Sequence, residues 1–460
     1  MNDENSADAA APAAVEETSP SRRVTRRGFI RTSAVSAAAF GIPYIIPDGV
    51  LAAPGRPGAN DRIVYGHIGL GGQGISHVVP DAAALCDVDS DHLANAAKRV
   101  NGTPLLTKDY RYILDRKDID AVTIGAPDHW HAIMMVQACQ AGKDVYSEKP
   151  TCKTIQEGQA MINAADHYKR VVQIGAQGRS NPSAHVACEY IRNGQIGKVN
   201  RVEVWHENNW TDGWGAETDP PSTIDWDLWL GPAQWKPYNA QYVHFNFRWM
   251  MDFGAGFIRD RGNHVLSIVL WCMNQDKAAP VSVEATGEPA KDGVWDVPVT
   301  MEAKWEFKNP DWTLTWSQPG ARYPFPGTTA PIPWGAKYYG DHDTLIVSGG
   351  DSGCDTEPKA KAYTPPANGV HVYQDNTVTS ADPLERHREN WRHCMRTRNT
   401  AELMMPIDPA VHVITLPILA NISYRLGRKL QWDPARQEFI GDEEANRYLA
   451  QPYRTPWKLG

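Results

Sequence analysis

Two groups of residues have types and spacings that could carry chemistry. The first is Gly69-Leu70-Gly71-Gly72-Gln73-Gly74, which follows a strand-like run from Arg62 to Ile68. In that context the first glycine permits a tight turn, the second lets backbone approach a pyrophosphate, and the third allows a helix to pack closely. The helix N-terminus would then face phosphates with free N–H groups. Asp87, eighteen positions after Gly69, ends the next strand-like run, Ala82 to Cys86. A carboxylate there hydrogen-bonds ribose hydroxyls and repels a 2′-phosphate, which favours NAD over NADP. The second group is Asp260 and His264, at i and i+4, which share a helix face. Asp260 to Met273 reads as that helix, with Val265, Ile268, Val269 and Cys272 as its apolar face.

Elements that position these groups follow from the pattern. Asp120 to Gly125 reads as a strand breaking into Pro127-Asp128-His129-Trp130-His131, then a helix from Ala132 to Ala141. Lys143 to Ser147 reads as another strand, ending in Glu148-Lys149-Pro150. Strands alternating with helices imply a parallel sheet, whose ligands sit at the carboxyl ends of the strands, where these polar clusters lie. One feature is awkward: Pro80 leaves only Ile75 to Val79 for the first helix. His129 and His131 stand two apart, yet no third ligand has zinc spacing, so no metal centre is read.

From Asn181 a helix, Ala184 to Asn193, and a strand, Val199 to His206, open a second domain. A Trp-, Asn- and Pro-rich stretch through Trp249 follows, which reads either as a substrate lid or rim or as a packed irregular subdomain. Val281 to Ala285, Val299 to Trp305 and Thr313 to Trp316 alternate as antiparallel strands. A helix near His412 to Leu426 and a tail containing Trp432 and Trp457 close the chain, and His387 and His393 read as structural. The expected fold class is α/β: a Rossmann domain over 61–180 and an α/β domain over 181–430 with a large, mostly antiparallel open sheet. Residues 431–460 are expected to pack back on the core.

At 460 residues the chain suits two domains and a leader. Its formal charge of −8 gives no reason to expect nucleic acid or anionic membranes as partners. The seven scattered cysteines form no C-x-x-C pair, which indicates neither a disulfide framework nor a zinc knuckle. Residues 1–53 read as a disordered tail followed by an export signal. Thr25 to Arg31 resembles the twin-arginine motif; the apolar run Ala34 to Ile46 is too short for a stable anchor, and Ala52 offers a cleavage site. That order implies a twin-arginine translocase as partner and a periplasmic or other extracytoplasmic location.

Taken together, the glycine loop, Cys86-Asp87-Val88, Pro127 to His131, Glu148-Lys149-Pro150, Gln173 to Arg179 and Asp260 to His264 resemble the Gfo/Idh/MocA oxidoreductase family. The resemblance runs from about Asp61 to the C-terminus. It implies that Lys149 lies beside the nicotinamide and the reacting carbinol, that the bond before Pro150 is cis, and that Asp260 and His264 complete the site. His264 would take the hydroxyl proton as general base, and Lys149 would hold the hydroxyl and stabilise the alkoxide; which of the two carries the mobile proton stays open. Pro127, Asp128, His131, Glu148, Gln177 and Arg179 are expected near cofactor or substrate, and a homo-oligomer is implied. Ser267, where many relatives carry Asp, and Gly178, where a basic residue is common, depart from the pattern. The implied activity is exported, NAD-dependent hydride transfer from a secondary alcohol of a sugar, polyol or glycoside. Two alternatives are a glycosidase that oxidises a sugar transiently with recycled NAD, and a non-catalytic sugar-binding protein.

Overall fold

The computed structural model describes residues 62–372 and 378–460, together with Gly58. The twin-arginine segment, the apolar run and the cleavage site lie outside these residues. The first sheet is built from short runs buried on both faces. They are β1 (Tyr65–Ile68), β2 (Ala84–Cys86), β3 (Leu105–Thr107), β4 (Ala121–Ile124), β5 (Asp144–Ser147) and β6 (Val172–Ile174). β1, β4 and β5 are buried at every position, as in parallel sheets covered by helices. The order is β3-β2-β1-β4-β5-β6, with every pair parallel. This is the expected Rossmann arrangement, and its order reverses between β1 and β4, where a crevice opens. Helices α1 (Ser90–Ala97), α2 (Asp128–Gln140) and α3 (Ile155–Tyr168) connect the strands. Asp89 caps α1, and Thr154 with Glu157 forms a capping box on α3; such caps contribute about 1 kcal/mol each.

Two local expectations are corrected. The connection after the glycine turn is not an α-helix but one 3-10 turn, Gly74–His77. His77 is drawn inward to Glu148, at 2.9 Å, and Pro80 follows, so the helix cannot extend. Little helix dipole therefore faces the glycine turn. Helix α2 in turn begins at Asp128 rather than Ala132. Pro127 is its N-cap and Asp128 stands in its first turn, where a carboxylate is favoured. The Asp-His-Trp-His cluster is thus helical, not a loop.

The second sheet holds β7 (Arg201–Trp205), β8 (Ser282–Thr286), β9 (Met301–Phe307), β10 (Trp312–Gln318), β11 (Gly335–Tyr339), β12 (Thr344–Ser348), β13 (Asp355–Thr356), β14 (Leu430–Asp433) and β15 (Glu438–Phe439). Its order is β13-β12-β11-β7-β10-β9-β8-β14-β15, antiparallel except for the β7–β10 pair. β9 and β10 alternate between core and outer face, as their sequences predict. The inner face is covered by α5 (Gly262–Cys272) and α7 (Ile407–Leu426), while α4 (Pro182–Arg192) packs on α5. Helix α6 (Pro383–Thr397) packs near the end of β6. Trp305 and Trp316 fill the core under these helices, whereas Trp205 points to the opposite face and packs with Ile332 and Ile346.

The expected helix from Asp260 is interrupted at Arg261, leaving a short turn, Phe257–Asp260, ahead of α5. The expected boundary at 430/431 falls inside β14, which pairs with β8, so the last thirty residues first complete a sheet edge. Farther on, Trp457 packs edge-on against Trp130, at 4.7 Å between ring centroids. Among the described residues no helix is long and apolar enough to cross a membrane.

Candidate active site

A cavity of about 520 Å³ runs from the glycine turn to the start of α5. The turn is held by steric necessity. Gly69 has φ +77°, and a Cβ there would lie 2.4 Å from the Ala126 amide nitrogen. A Cβ on Gly74 would lie 1.9 Å from the Gly69 carbonyl oxygen. At Gly72 nothing stands within 4 Å, so its backbone faces open space. That is the surface a pyrophosphate needs. Asp87 lies at the same end. Its Oδ2 accepts from the Leu70 amide at 2.6 Å and its Oδ1 from the Asp89 amide at 2.8 Å. The carboxylate is thereby fixed at the cavity wall.

At the other end the Lys149 ammonium donates to Asp260 Oδ1 at 2.6 Å and to the Asp260 carbonyl at 3.2 Å. Arg248 Nε approaches the same Oδ1 at 3.1 Å. Burial pushes the Asp260 carboxyl up, but the Lys149 and Arg248 charges outweigh it and hold it well below the usual carboxylate range. His264 lines the cavity beside them, buried, with Nδ1 lacking a hydrogen-bond partner. Burial and the Lys149 charge hold its imidazole well below 6.5, so it is neutral at neutral pH. A cation, a neutral base and an anchoring carboxylate thus share one wall. The Lys149–Pro150 bond is cis.

Of the residues expected at the site, Gly69, Gly71, Gly72, Gln73, Asp87, Pro127, Asp128, Glu148, Lys149, Gln177, Asp260 and His264 line this cavity. Gly74, His131 and Arg179 do not. Gly74 packs under the turn. His131 directs both ring nitrogens at backbone carbonyls, Nδ1 to Pro150 at 2.6 Å and Nε2 to Ala126 at 2.8 Å. Arg179 is spent on Asp276, at 2.5 Å, and on the Ser267 carbonyl, at 2.8 Å. Both are struts beneath the site rather than parts of its surface. Glu148 and Gln177 border the cavity but bind each other, Gln177 Nε2 donating to Glu148 Oε1 at 2.8 Å. Burial pushes the Glu148 carboxyl up, yet the His77 hydrogen bond and nearby charges leave it below the usual range.

Arg248, Arg261 and Asp351 also line the cavity, and sequence reasoning missed them. Arg261 pairs with Asp351 at 3.2 Å. A signal did exist for Asp351: it follows Gly349-Gly350, and a Cβ on Gly178 would lie 1.8 Å from the Gly350 carbonyl oxygen. The departure at Gly178 is therefore a crossing of two backbones. Ser267 turns away, its hydroxyl donating to the His264 carbonyl at 2.8 Å.

The chain matches the profile described as "Oxidoreductase family, NAD-binding Rossmann fold" over residues 67–176. It matches "Oxidoreductase family, C-terminal alpha/beta domain" over 192–306 and 337–459. The chain belongs to the Gfo/Idh/MocA oxidoreductase family. Among curated proteins it is 30% identical over 148 residues to levoglucosan dehydrogenase of Pseudarthrobacter phenanthrenivorans, covering 32% of this chain and 36% of that protein. It is 25% identical over 216 residues to a glycosyl hydrolase family 109 protein of Shewanella pealeana, covering 41% and 47% respectively. The matches thus span less than half the length of these relatives. Among solved structures, the WlbA dehydrogenase from Bordetella pertussis in complex with NADH and UDP-GlcNAcA superposes with a TM-score of 0.57 at 16% identity, covering 81% of this chain and 99% of that one. This likeness concerns the fold.

Proposed function

We propose that this member of the family is an exported, NAD-dependent oxidoreductase acting on a secondary alcohol of a sugar, polyol or glycoside. The observation that carries the reading is the single wall shared by Lys149, Asp260 and His264, in the same cavity as the glycine turn and Asp87. The residues fit a dinucleotide: Gly72 leaves a bare backbone surface for the pyrophosphate, and Asp87 offers a fixed carboxylate to the ribose and repels a 2′-phosphate. When bound, that dinucleotide supplies a two-electron acceptor for the hydride leaving the carbinol carbon. His264, neutral before reaction, takes the hydroxyl proton. Lys149 donates to the oxygen as negative charge develops there, and Asp260 keeps the ammonium aimed. The ketone forms as both hydrogens depart. The levoglucosan dehydrogenase relative supports a carbohydrate substrate.

Export rests on the order of motif, apolar run and small-residue site between Thr25 and Ala52. Self-association is proposed through the outer face of the second sheet, which carries Glu284, Lys304 and Thr313. One observation favours the second reading, a glycosidase that recycles its cofactor. Phe245, 46% exposed, lines the cavity mouth, with Trp210, 51% exposed, 5.6 Å away, giving a shelf for a second ring. The family 109 relative supports it too.

The test is to purify the exported protein, release any bound nucleotide by denaturation, and screen monosaccharides and aryl glycosides while following absorbance near 340 nm. Stoichiometric NAD and net reduction with a sugar are expected. Cleavage of an aryl glycoside without net reduction selects the second reading. A protein that binds no dinucleotide refutes both.

A further inference from the structure

We propose a divalent transition-metal site of the zinc class, formed by Asp89, His92 and His244 where the Trp-rich stretch meets the Rossmann domain. One ring nitrogen of each histidine and a carboxylate oxygen of Asp89 lie within 4.8 Å of one another. Among the described residues this is the one grouping of three such ligands. His244 Nε2 stands 3.0 Å from Asp89 Oδ2, and the two imidazole centroids are 4.3 Å apart. Tetrahedral zinc, with bonds of about 2.0–2.2 Å, needs neighbouring ligand atoms about 3.4 Å apart. One pair is near that spacing already, and the 42% exposed His244 side chain leaves solvent room beside the cluster for an ion and its water. Two imidazoles and one carboxylate match zinc's preference, and solvent supplies the fourth ligand.

The surroundings hold two of the ligands, Asp89 and His92, from behind, as metal sites require. Asp89 Oδ1 accepts the Asp91 amide at 2.8 Å as the cap of α1, leaving Oδ2 for the imidazoles. His92 Nδ1 lies 3.5 Å from Asp87 Oδ2, a carboxylate behind a histidine, and Asp87 is itself fixed by two backbone amides. The carboxylates of Asp87 and Asp89 beside two imidazoles give the place a cation-favouring charge. A bound ion would join residues 152 positions apart, pinning the Trp-rich stretch over the end of the cavity that holds Asp87.

The test uses untagged full-length protein, dialysed against EDTA and titrated with ZnCl2 against a chromophoric competitor, with CoCl2 as a spectroscopic probe. No nucleotide is present, so the outcome is independent of the dehydrogenase reading. One saturable equivalent per chain is expected, with a visible Co²⁺ band of four-coordinate type and a raised Tm. His244→Ala should abolish the equivalent. Asp89→Asn keeps a capping side chain, so the helix survives while the ligand charge is lost, and it should do the same. Asp87→Asn should weaken binding by about 10- to 100-fold. If no equivalent saturates, or if His244→Ala and Asp89→Asn bind as the parent does, the cluster is a hydrogen-bonded latch and the proposal falls.

Discussion

At the scale of single residues, the site works through opposed charges at short range. Asp260 holds two cations, so removing one does not strand the other. Lys149→Met should therefore leave Tm and dinucleotide affinity near the parent's, because Arg248 still meets the carboxylate at 3.1 Å. Turnover should fall by about 10²- to 10³-fold, the effect of losing a donor to a developing oxyanion. A drop in nucleotide affinity as large as the drop in turnover would contradict this division of labour. The protonation state of His264 gives a second expectation. Burial and the neighbouring ammonium depress its pKa, so the base is already deprotonated well below 6.5. The pH profile of kcat/KM should show no acid limb near 6.5, and loss should begin only well below that value. His264→Asn should lower turnover by about 10²- to 10⁴-fold.

Among elements, the glycine turn separates folding from binding. Gly72→Ala meets empty space, so thermal stability should hold while dinucleotide affinity falls. Gly74→Ala drives a methyl into the Gly69 carbonyl at 1.9 Å and should lower Tm before any ligand is added. Calorimetry on both variants, with and without NAD, checks the pair. The same turn shows what a linear sequence can convey. Lys149, Asp260 and His264 were legible because short motifs fix them at strand or helix ends, and the parallel character of the first sheet followed from alternating elements. The single 3-10 turn after Gly74 was not, because its cause, the pull of Glu148 on His77 across 71 positions, is tertiary. His131 and Arg179 look the same in sequence whether they touch a ligand or brace a wall; only the register of α2 and the place of Asp276 decide. Arg248 lies in an irregular stretch with no periodicity to read.

For the molecule as a whole, buried neutral histidines set the acid limit. Burial lowers His67 and His129 to about 3 and His387 to about 4. The unfolded chain binds a proton at each near 6.5, whereas the folded chain does not until much lower pH. The stability they share is thus complete above 6.5 and is lost as pH falls toward the folded values. At pH 5 each should cost about 2 kcal/mol relative to pH 7, a large share of the roughly 5–15 kcal/mol that holds a typical domain together. Tm measured from pH 7 to pH 4 should fall steeply, and His387→Gln should flatten the slope by about one proton. An unchanged Tm across that range would mean these rings are protonated in the fold.

The Lys149 ammonium has three hydrogens, and two already point at Asp260, one at the carboxylate and one at the backbone oxygen. Only one remains for an incoming polyhydroxy compound. In the reaction proposed above, a single hydroxyl can be gripped at a time, so one carbon alone is presented for oxidation, however many equivalent-looking alcohols the ring carries. The enzyme should be regioselective without a tight pocket around the rest of the sugar, and a mixture of isomeric keto-sugars from one substrate would show that this arithmetic of donors does not hold.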